Sequence, residues 1–301
     1  MLVVDGHFYR LRALEVWWPV SPEATTSLAS RAPVINVMQC NADIATALGS
    51  LTFHRRPFQT VLIDLSLPEA RLWSRLDQRS CRTEINRAKR LDCVVSRNER
   101  SDDAFRLLRD FIRRRGYRAP LSAKEWQRQV LNNDVFVVHH EGHPVACHVV
   151  QVDGTARARV VSGATVQRGT LPGAIVGALN RYLLWEEMRY YREGGVGHFD
   201  LGGITLDETS PLFSITRFKM SFGGDVVEEH IVHLARSPTL RLALRAMARA
   251  KAAAGQARHA WARTTGVRPG KRDNGSAARD EKSRAERRVL SKPEPSRGSF
   301  E

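Results

Sequence analysis

Short β-branched apolar runs alternate along this chain with stretches whose apolar residues recur every three or four positions. Pro33–Cys40 (PVINVMQC) and Gln59–Leu65 (QTVLIDL) are of the first kind and predict buried strands. The first 58 residues read as strands and loops around an aromatic cluster, Phe8, Tyr9, Trp17 and Trp18. Ser66 is placed to cap a helix in which Pro68 comes early and which runs to about Leu91. A short strand follows at Asp92–Ser96, then a helix from Ser101 through Arg115 that Gly116 can close, then a third helical stretch at Ser122–Asn132. Asp134–His140, Pro144–Asp153 and Ala156–Gly163 predict a strand meander, with hairpin signals at Glu141-Gly-His and Asp153-Gly-Thr. Pro172–Tyr191 carries Ile175, Leu179, Leu183 and Leu184 at helical spacing. His198–Leu201 reads as a strand, Pro211–Phe222 as a short helix and Val226–Leu234 as a closing strand. This order of elements is an α+β arrangement, and no repeat of solenoid length occurs.

From Ser237 the pattern changes. Leu240, Leu244 and Met247 form a thin apolar stripe, with Arg241, Arg245, Arg249 and Lys251 on the other faces and Trp261 beyond. A basic amphipathic helix over residues 236–264 can lie on a membrane surface or dock on the body of the protein. Residues 265–301 hold almost no large apolar side chain and read as a disordered basic tail.

The net charge of +15 is concentrated. Residues 236–301 have 17 Lys and Arg against 6 Asp and Glu, whereas residues 1–235 have 30 against 26. The body is therefore nearly balanced, and only the tail and one internal segment are strongly basic. That segment, Arg71–Arg118, has 15 basic and 7 acidic residues. Within it Arg71, Arg75, Arg79 and Arg82 fall on one face of a continuous helix, either as a solvated face or as a guanidinium row for a phosphate-bearing partner.

Several classes are disfavoured. The longest apolar runs, such as Val135–Val138, are far below the roughly 18–20 residues of a membrane span. The start of the chain lacks the pattern of a secretory signal, and Cys40, Cys81, Cys93 and Cys147 form no CxxC, so a reducing cytosol is the expected setting. His139, His140, His143 and His148 surround a hairpin without an HExxH, no GxSxG is present, and no metal is expected. Cys81 reads as a buried, inert thiol.

The stretch with the most chemical content is FDLGGITLDETSPLFSITRFKMSFGG, residues 199–224. Asp200 ends a strand, Gly202 and Gly203 allow a tight turn or close approach to a ligand, and Lys219 sits between Phe218 and Phe222 ahead of a second glycine pair. Asp-Leu-Gly-Gly-Ile at 200–204 with Phe-Lys-x-x-Phe-Gly-Gly at 218–224 resembles the signature of the Fem-type peptidoglycan-bridge aminoacyltransferases, shared in part by BioF2-like acyltransferases of the GNAT superfamily. TVLIDL at 60–65 and the helix bearing Arg82-Thr-Glu-Ile-Asn-Arg-Ala-Lys-Arg at 82–90 extend the likeness, which spans roughly residues 58–235.

The resemblance implies a GNAT-like fold on a mixed, strongly twisted sheet: a reduced first lobe over residues 1–135 and a complete second lobe over 136–235. It implies transfer of an acyl or aminoacyl group to an amine of a cell-envelope precursor, peptidoglycan or polysaccharide, by a chain in the cytoplasm or peripheral on the inner face of the plasma membrane. No cofactor is tightly bound; the co-substrate is an acyl-CoA or an aminoacyl-tRNA, and both stay open. The amine is a small molecule or lipid-linked, and tRNA and an anionic membrane surface, met through residues 238–263, are further partners. Lys219 and Asp200 are the catalytic candidates, Lys219 for a developing oxyanion or the carrier phosphate, Asp200 to orient an amine or merely to cap the turn. Arg82, Arg79, Gly202, Gly203, Phe218 and Phe222 are the substrate-binding candidates. Gln167, Arg168, Gly169 and Gly173, before the helix at Pro172, are the nearest approach to a coenzyme A pyrophosphate loop. For the general base, His148, Asp200, Asp207 and Glu208 stay open. A different class, a nucleic-acid-binding protein using the basic tail, is the alternative.

Overall fold

The computed structural model describes residues 1–9, 11–116, 121–167 and 169–250. Its strands are β1 (Leu2–Phe8), β2 (Leu11–Trp17), β3 (Val34–Cys40), β4 (Thr52–Asp64), β5 (Cys93–Arg97), β6 (Asp134–His140), β7 (His143–Asp153), β8 (Arg157–Thr165), β9 (His198–Gly203) and β10 (Asp225–Ala235). Its helices are α1 (Pro22–Ser27), α2 (Ala42–Ala47), α3 (Glu69–Arg75), α4 (Thr83–Ala88), α5 (Ser101–Arg115), α6 (Ala123–Asn132), α7 (Gly173–Glu193) and α8 (Phe213–Met220). The strands form one sheet in the order β1-β2-β3-β10-β4-β9-β8-β7-β6-β5. Among the described residues only β2–β3 and β8–β9 pair in parallel. This is the α+β arrangement on a mixed sheet expected from the sequence.

Alternation along the strands sends side chains to two different cores. Val135 and Val137 of β6 pack with Leu107, Leu108 and Trp126 of α5 and α6. Phe136 and Val138 face the opposite way, into the largest core, with Leu179, Leu183 and Met188 of α7. A third core, around Leu14, Val37 and Ile44, supports the first three strands. At the meander hairpin Glu141 and Gly142 both have positive φ, 51° and 76°, as a two-residue turn requires. Gly116 ends α5 in the left-handed conformation, at φ 67°.

Two features differ from expectation. The helix expected from Ser66 to Leu91 breaks at Leu76 and Asp77, which are extended, and resumes through one π turn at Gln78–Arg82. Asp77 caps that turn, accepting from the Ser80 amide at 2.7 Å. The four arginines therefore share no single helix face; Arg75 instead pairs with Asp225 at 3.0 Å. The lobe boundary expected at 135/136 falls inside β6, and residues Met1–Arg241 make one compact unit. Closing strand β10 lies between β3 and β4, so the last strand is built into the first part of the chain. A second unit begins at Leu242. Residues 238–250 are helical; the rest of the helix expected over 236–264, and the tail expected over 265–301, lie outside the described residues. Among the described residues no helix is long and apolar enough to cross a membrane.

The sheet also curls. Arg159 of β8 lies 4.9 Å from the ring centre of Trp17 on β2, and Arg157 lies 5.3 Å from that of Trp18, although four strands (β3, β10, β4 and β9) stand between β2 and β8 in hydrogen-bonding order. The amino terminus meets Asp153 Oδ2 at 2.6 Å.

Candidate active site

The parallel ladder of β8 and β9 covers three residue pairs, Arg157–Arg159 with His198–Asp200. Beyond them β8 continues to Thr165 paired to β7, while β9 turns off through Gly202 and Gly203 toward β4, where the Ile204 amide donates to Gln59 O at 2.9 Å. Gly202 has φ +81°, and a Cβ there would stand 3.1 Å from Val160 O and 3.4 Å from Lys219 Nζ. Glycine is required on both counts.

Period-two alternation puts Arg157 and Arg159 on one face of β8, where they meet Asp200. Asp200 is fully buried and fully engaged. Its Oδ1 accepts from the Thr60 hydroxyl and, at 2.7 Å, from the Gly202 amide. Its Oδ2 accepts from Gln39 Nε2 at 2.8 Å and Arg157 Nη2 at 2.7 Å. Burial acts to raise the Asp200 pKa, but Arg157 and Arg159, with the Thr60 and Gln39 hydrogen bonds, hold it below the usual carboxylate range. Arg157 also donates to Glu229 Oε1 at 2.7 Å. Both oxygens of Asp200 are thus engaged within the protein, and of the two roles expected for it, orienting an amine or capping the turn, the hydrogen bonds match the second: it fixes the Gly202 turn and both arginines.

Lys219, in the last turn of α8, donates to Gly203 O at 2.8 Å. Burial lowers its pKa to about 8, Asp200 opposing and Arg159 reinforcing the shift. Its ammonium has two further donors, and Lys219 lines a cavity of about 890 Å³ together with Val160–Thr165 of β8, Leu201, Phe218 and residues of α5 and α7.

His148 lines the same cavity. Its Nδ1 lies 2.7 Å from Oε1 of Glu187, a carboxyl with no exposed surface on α7. Burial raises the Glu187 pKa against the pull of His148. A Cβ on Gly163 would come within 2.5 Å of His148 Cδ2 and 3.2 Å of Nε2, so this glycine makes room for the ring. The imidazole is anchored at one nitrogen and offers the other toward the cavity, the arrangement a proton acceptor needs.

The other expected residues divide. Phe218 joins Lys219 at the cavity, but Phe222 is buried in the main core and does not line it. Gly203 closes against the Phe58 ring, 2.9 Å from a Cβ built on it. Arg79 and Arg82 do not line the cavity; Arg82 reaches Gln78 Oε1 at 3.5 Å. Gln167, Gly169 and Gly173 lie in the turn leading into α7, where the Thr170 amide donates to Gln167 O at 3.2 Å and Gly169 has φ +93°; Arg168 lies outside the described residues. Asp207 is spent on a turn, accepting from Thr209, and Glu208 is exposed. His139 pairs with Asp103 at 2.9 Å and His140 with Asp92 O at 2.8 Å, and among the described residues no group of three or more His, Cys, Asp or Glu could hold a metal. Cys81 is buried, and burial pushes its thiol up to about 11.

Sequence reasoning missed Arg157, Arg159, Gln39, Glu229 and Glu187. The signal for the arginines was present: two at i and i+2 in an apolar strand, RARVV, is an expensive pattern unless something buried answers it. Glu187 was legible too, as a carboxyl on the apolar stripe of α7. Gln39 and Glu229 need the strand order to be known.

No protein-family model matches the chain, and no curated protein does. Solved structures do. FemX superposes with a TM-score of 0.58 at 12% identity, covering 80% of this chain and 85% of FemX. L-PGS from Bacillus licheniformis gives 0.52 at 13%, covering 81% and 84%. The C-terminal domain of a protein described as a lysylphosphatidylglycerol synthetase, from Agrobacterium fabrum, gives 0.52 at 14%, covering 80% and 83%. At such identities the likeness is one of fold.

Proposed function

We propose that this protein moves an acyl or aminoacyl group from an activated carrier to an amine. The observation that carries the reading is a single cavity, opening where β8 and β9 part, that brings together a half-buried ammonium, Lys219, and an anchored imidazole, His148. In the step this arrangement suits, the amine nitrogen bonds to the carbonyl carbon of the carrier ester or thioester. Lys219 faces the oxygen that becomes negative. His148 Nε2 takes the proton released by the nitrogen, and Glu187 holds the ring while it is charged. The carbon–carrier bond breaks, and the thiol or hydroxyl leaves with a proton.

FemX and the lysylphosphatidylglycerol synthetase domain share the fold, which supports placing the acceptor among cell-envelope precursors in peptidoglycan or lipid chemistry. Acyl-CoA and aminoacyl-tRNA are the two carriers proposed, with the turn at Gln167, Gly169 and Gly173 as the phosphate-facing element. Mass spectrometry of the pure protein mixed with acyl-CoA thioesters, charged tRNAs and candidate amines tests the reading. Consumption of one carrier with formation of an amide is expected; hydrolysis alone, or no consumption of any carrier, overturns it.

A further inference from the structure

A second cavity, of about 410 Å³, also borders β8. It is lined by β1 and β2 (Asp5, Glu15 and Trp17 among them), by the end of α6 (Asn132 and Asn133), and by Gln151 and Ser162. The two cavities share Val161 and Ser162. At this point β8 carries one extra residue: Val149 pairs with Ser162 but Val150 pairs with Val160, so Val161 bulges from the ladder.

Several polar groups of this second cavity have acceptor capacity left over. Asn132 Nδ2 donates to Arg128 O at 2.7 Å and Asn133 Nδ2 to Gln129 O at 2.9 Å. Only an amide nitrogen can make those bonds, so both carboxamide oxygens are left to accept. Gln151 is 93% buried, and its Oε1 has no partner; the Ser162 hydroxyl is buried and unpartnered as well. Glu15 makes no ion pair within 4.0 Å among the described residues, and burial raises its pKa against the pull of Arg128. Asp5 is turned to Arg12, at 3.3 Å. Arg128 and His7 are the basic groups that face the cavity. A buried acceptor without a donor, as Gln151 Oε1 is, is costly to leave so, and a ligand rich in N–H would answer it together with the half-exposed oxygens around it.

We propose that this cavity binds a primary ammonium group, with Glu15 as its counter-charge and Gln151 and the asparagine oxygens as its acceptors. An ammonium held in this way is no nucleophile. The site is therefore the anchor for one amino group of a diamine whose second, uncharged amino group reaches past the Val161 bulge to the carbonyl. The anchoring role rests on the transferase reading; the binding of an ammonium does not.

Titration calorimetry at pH 7 with 1,5-diaminopentane, 1-aminopentane and 1,5-pentanediol tests the site without turnover. The diamine and the monoamine, each of which carries an ammonium, are both expected to bind at least about tenfold more tightly than the diol. In Glu15→Gln, an isosteric change, the ratio of amine to diol affinity falls to about one, and Gln151→Leu lowers it as well. Equal binding of diamine and diol by the unaltered protein overturns the proposal, as does a preference that survives Glu15→Gln. The unaltered protein's own preference decides if either variant fails to fold. Where acyl transfer is detected, kcat/KM for the diamine exceeds that for the monoamine, and Glu15→Gln removes the difference. Selective binding without transfer to any amine leaves the site standing and removes only the transferase reading.

Discussion

Gln39 and Asp200, separated by 161 positions in the chain, share a hydrogen bond of 2.8 Å in the interior of the sheet. The same Gln39 nitrogen reaches Glu229 Oε2 at 2.8 Å, so one carboxamide bridges two carboxylates that Arg157 also bridges. Gln39 holds φ at +61°, an uncommon conformation for its residue type, and so this bridge is made at some local cost. The first strands are thereby tied to the site strands by a buried polar network rather than by a lobe interface. Gln39→Leu leaves both carboxylates short of a donor and is expected to cost about 1–3 kcal/mol, read as a lower urea midpoint at unchanged m.

Asp200→Asn should be worse. The carboxylate is the shared counter-charge of Arg157 and Arg159, and removing one member of a buried ionic group costs about 3–5 kcal/mol. If Asp200 only assisted chemistry, stability would be nearly unchanged while turnover fell. Urea unfolding of the variant separates the two.

The second glycine pair of the motif is a packing device. Gly223 has φ +74°, and a Cβ on it would lie 2.3 Å from the carbonyl oxygen of Arg75. Gly224 is closed in by Leu62 O at 2.8 Å and Val61 at 2.7 Å. Gly223→Ala combines left-handed strain of about 1–2 kcal/mol with an overpacking cost of about 1–3 kcal/mol. Gly169→Ala, at φ +93° with open space around it, carries only the first. Thermal unfolding should rank Gly223→Ala well below Gly169→Ala.

These glycines show how far the sequence could be read. Local patterns placed β6–β9, α5 and α7 closely, because apolar periodicity, hairpin residues and a Gly116 cap act over a few positions. Lys219 and Phe218 were found through a motif, and they do meet at the cavity. What stayed hidden depends on distant chain segments. The break at Leu76–Asp77 follows from docking against α8, where the Asp77 amide donates to Ser221 O at 2.8 Å. Arginines at helical spacing look alike whether or not the helix is continuous. Phe222 is apolar, and nothing local tells a core phenylalanine from a ligand-facing one. His148 had no neighbour in sequence to single it out, since Glu187 comes 39 positions later.

His148 gives a prediction that does not involve the ionic network. Its ring fits only because residue 163 has no side chain. Gly163→Ala should displace the ring and lower kcat, while His148→Gln should remove the proton acceptor and lower kcat by about 10²–10⁴. Single-turnover rates with a fixed carrier and amine check both. A His148→Gln protein of normal kcat would return the proton to another acceptor.

Lys219 makes the last prediction a matter of sign. Its native pKa is lowered to about 8 from the model-compound value of 10.5. Below pH 8 the group is protonated in both folded and unfolded chains, and burying the ammonium destabilises the fold in full. Between pH 8 and 10.5 the unfolded chain binds more protons than the native one, so stability rises with pH, and above 10.5 the effect is gone. Lys219→Met should therefore gain most over the unaltered protein below pH 8 and converge with it toward pH 10.5 in urea titrations. On the proposed transferase reading turnover runs the other way, because the oxyanion would need the charge: kcat should fall about tenfold per pH unit above pH 8. Lys219→Ala should lose about 10²–10³ in kcat at neutral pH. Lys219→Arg stays charged throughout, so whatever activity it keeps should show no such alkaline fall. An alkaline limb identical in Lys219→Arg would take the cationic role away from this residue.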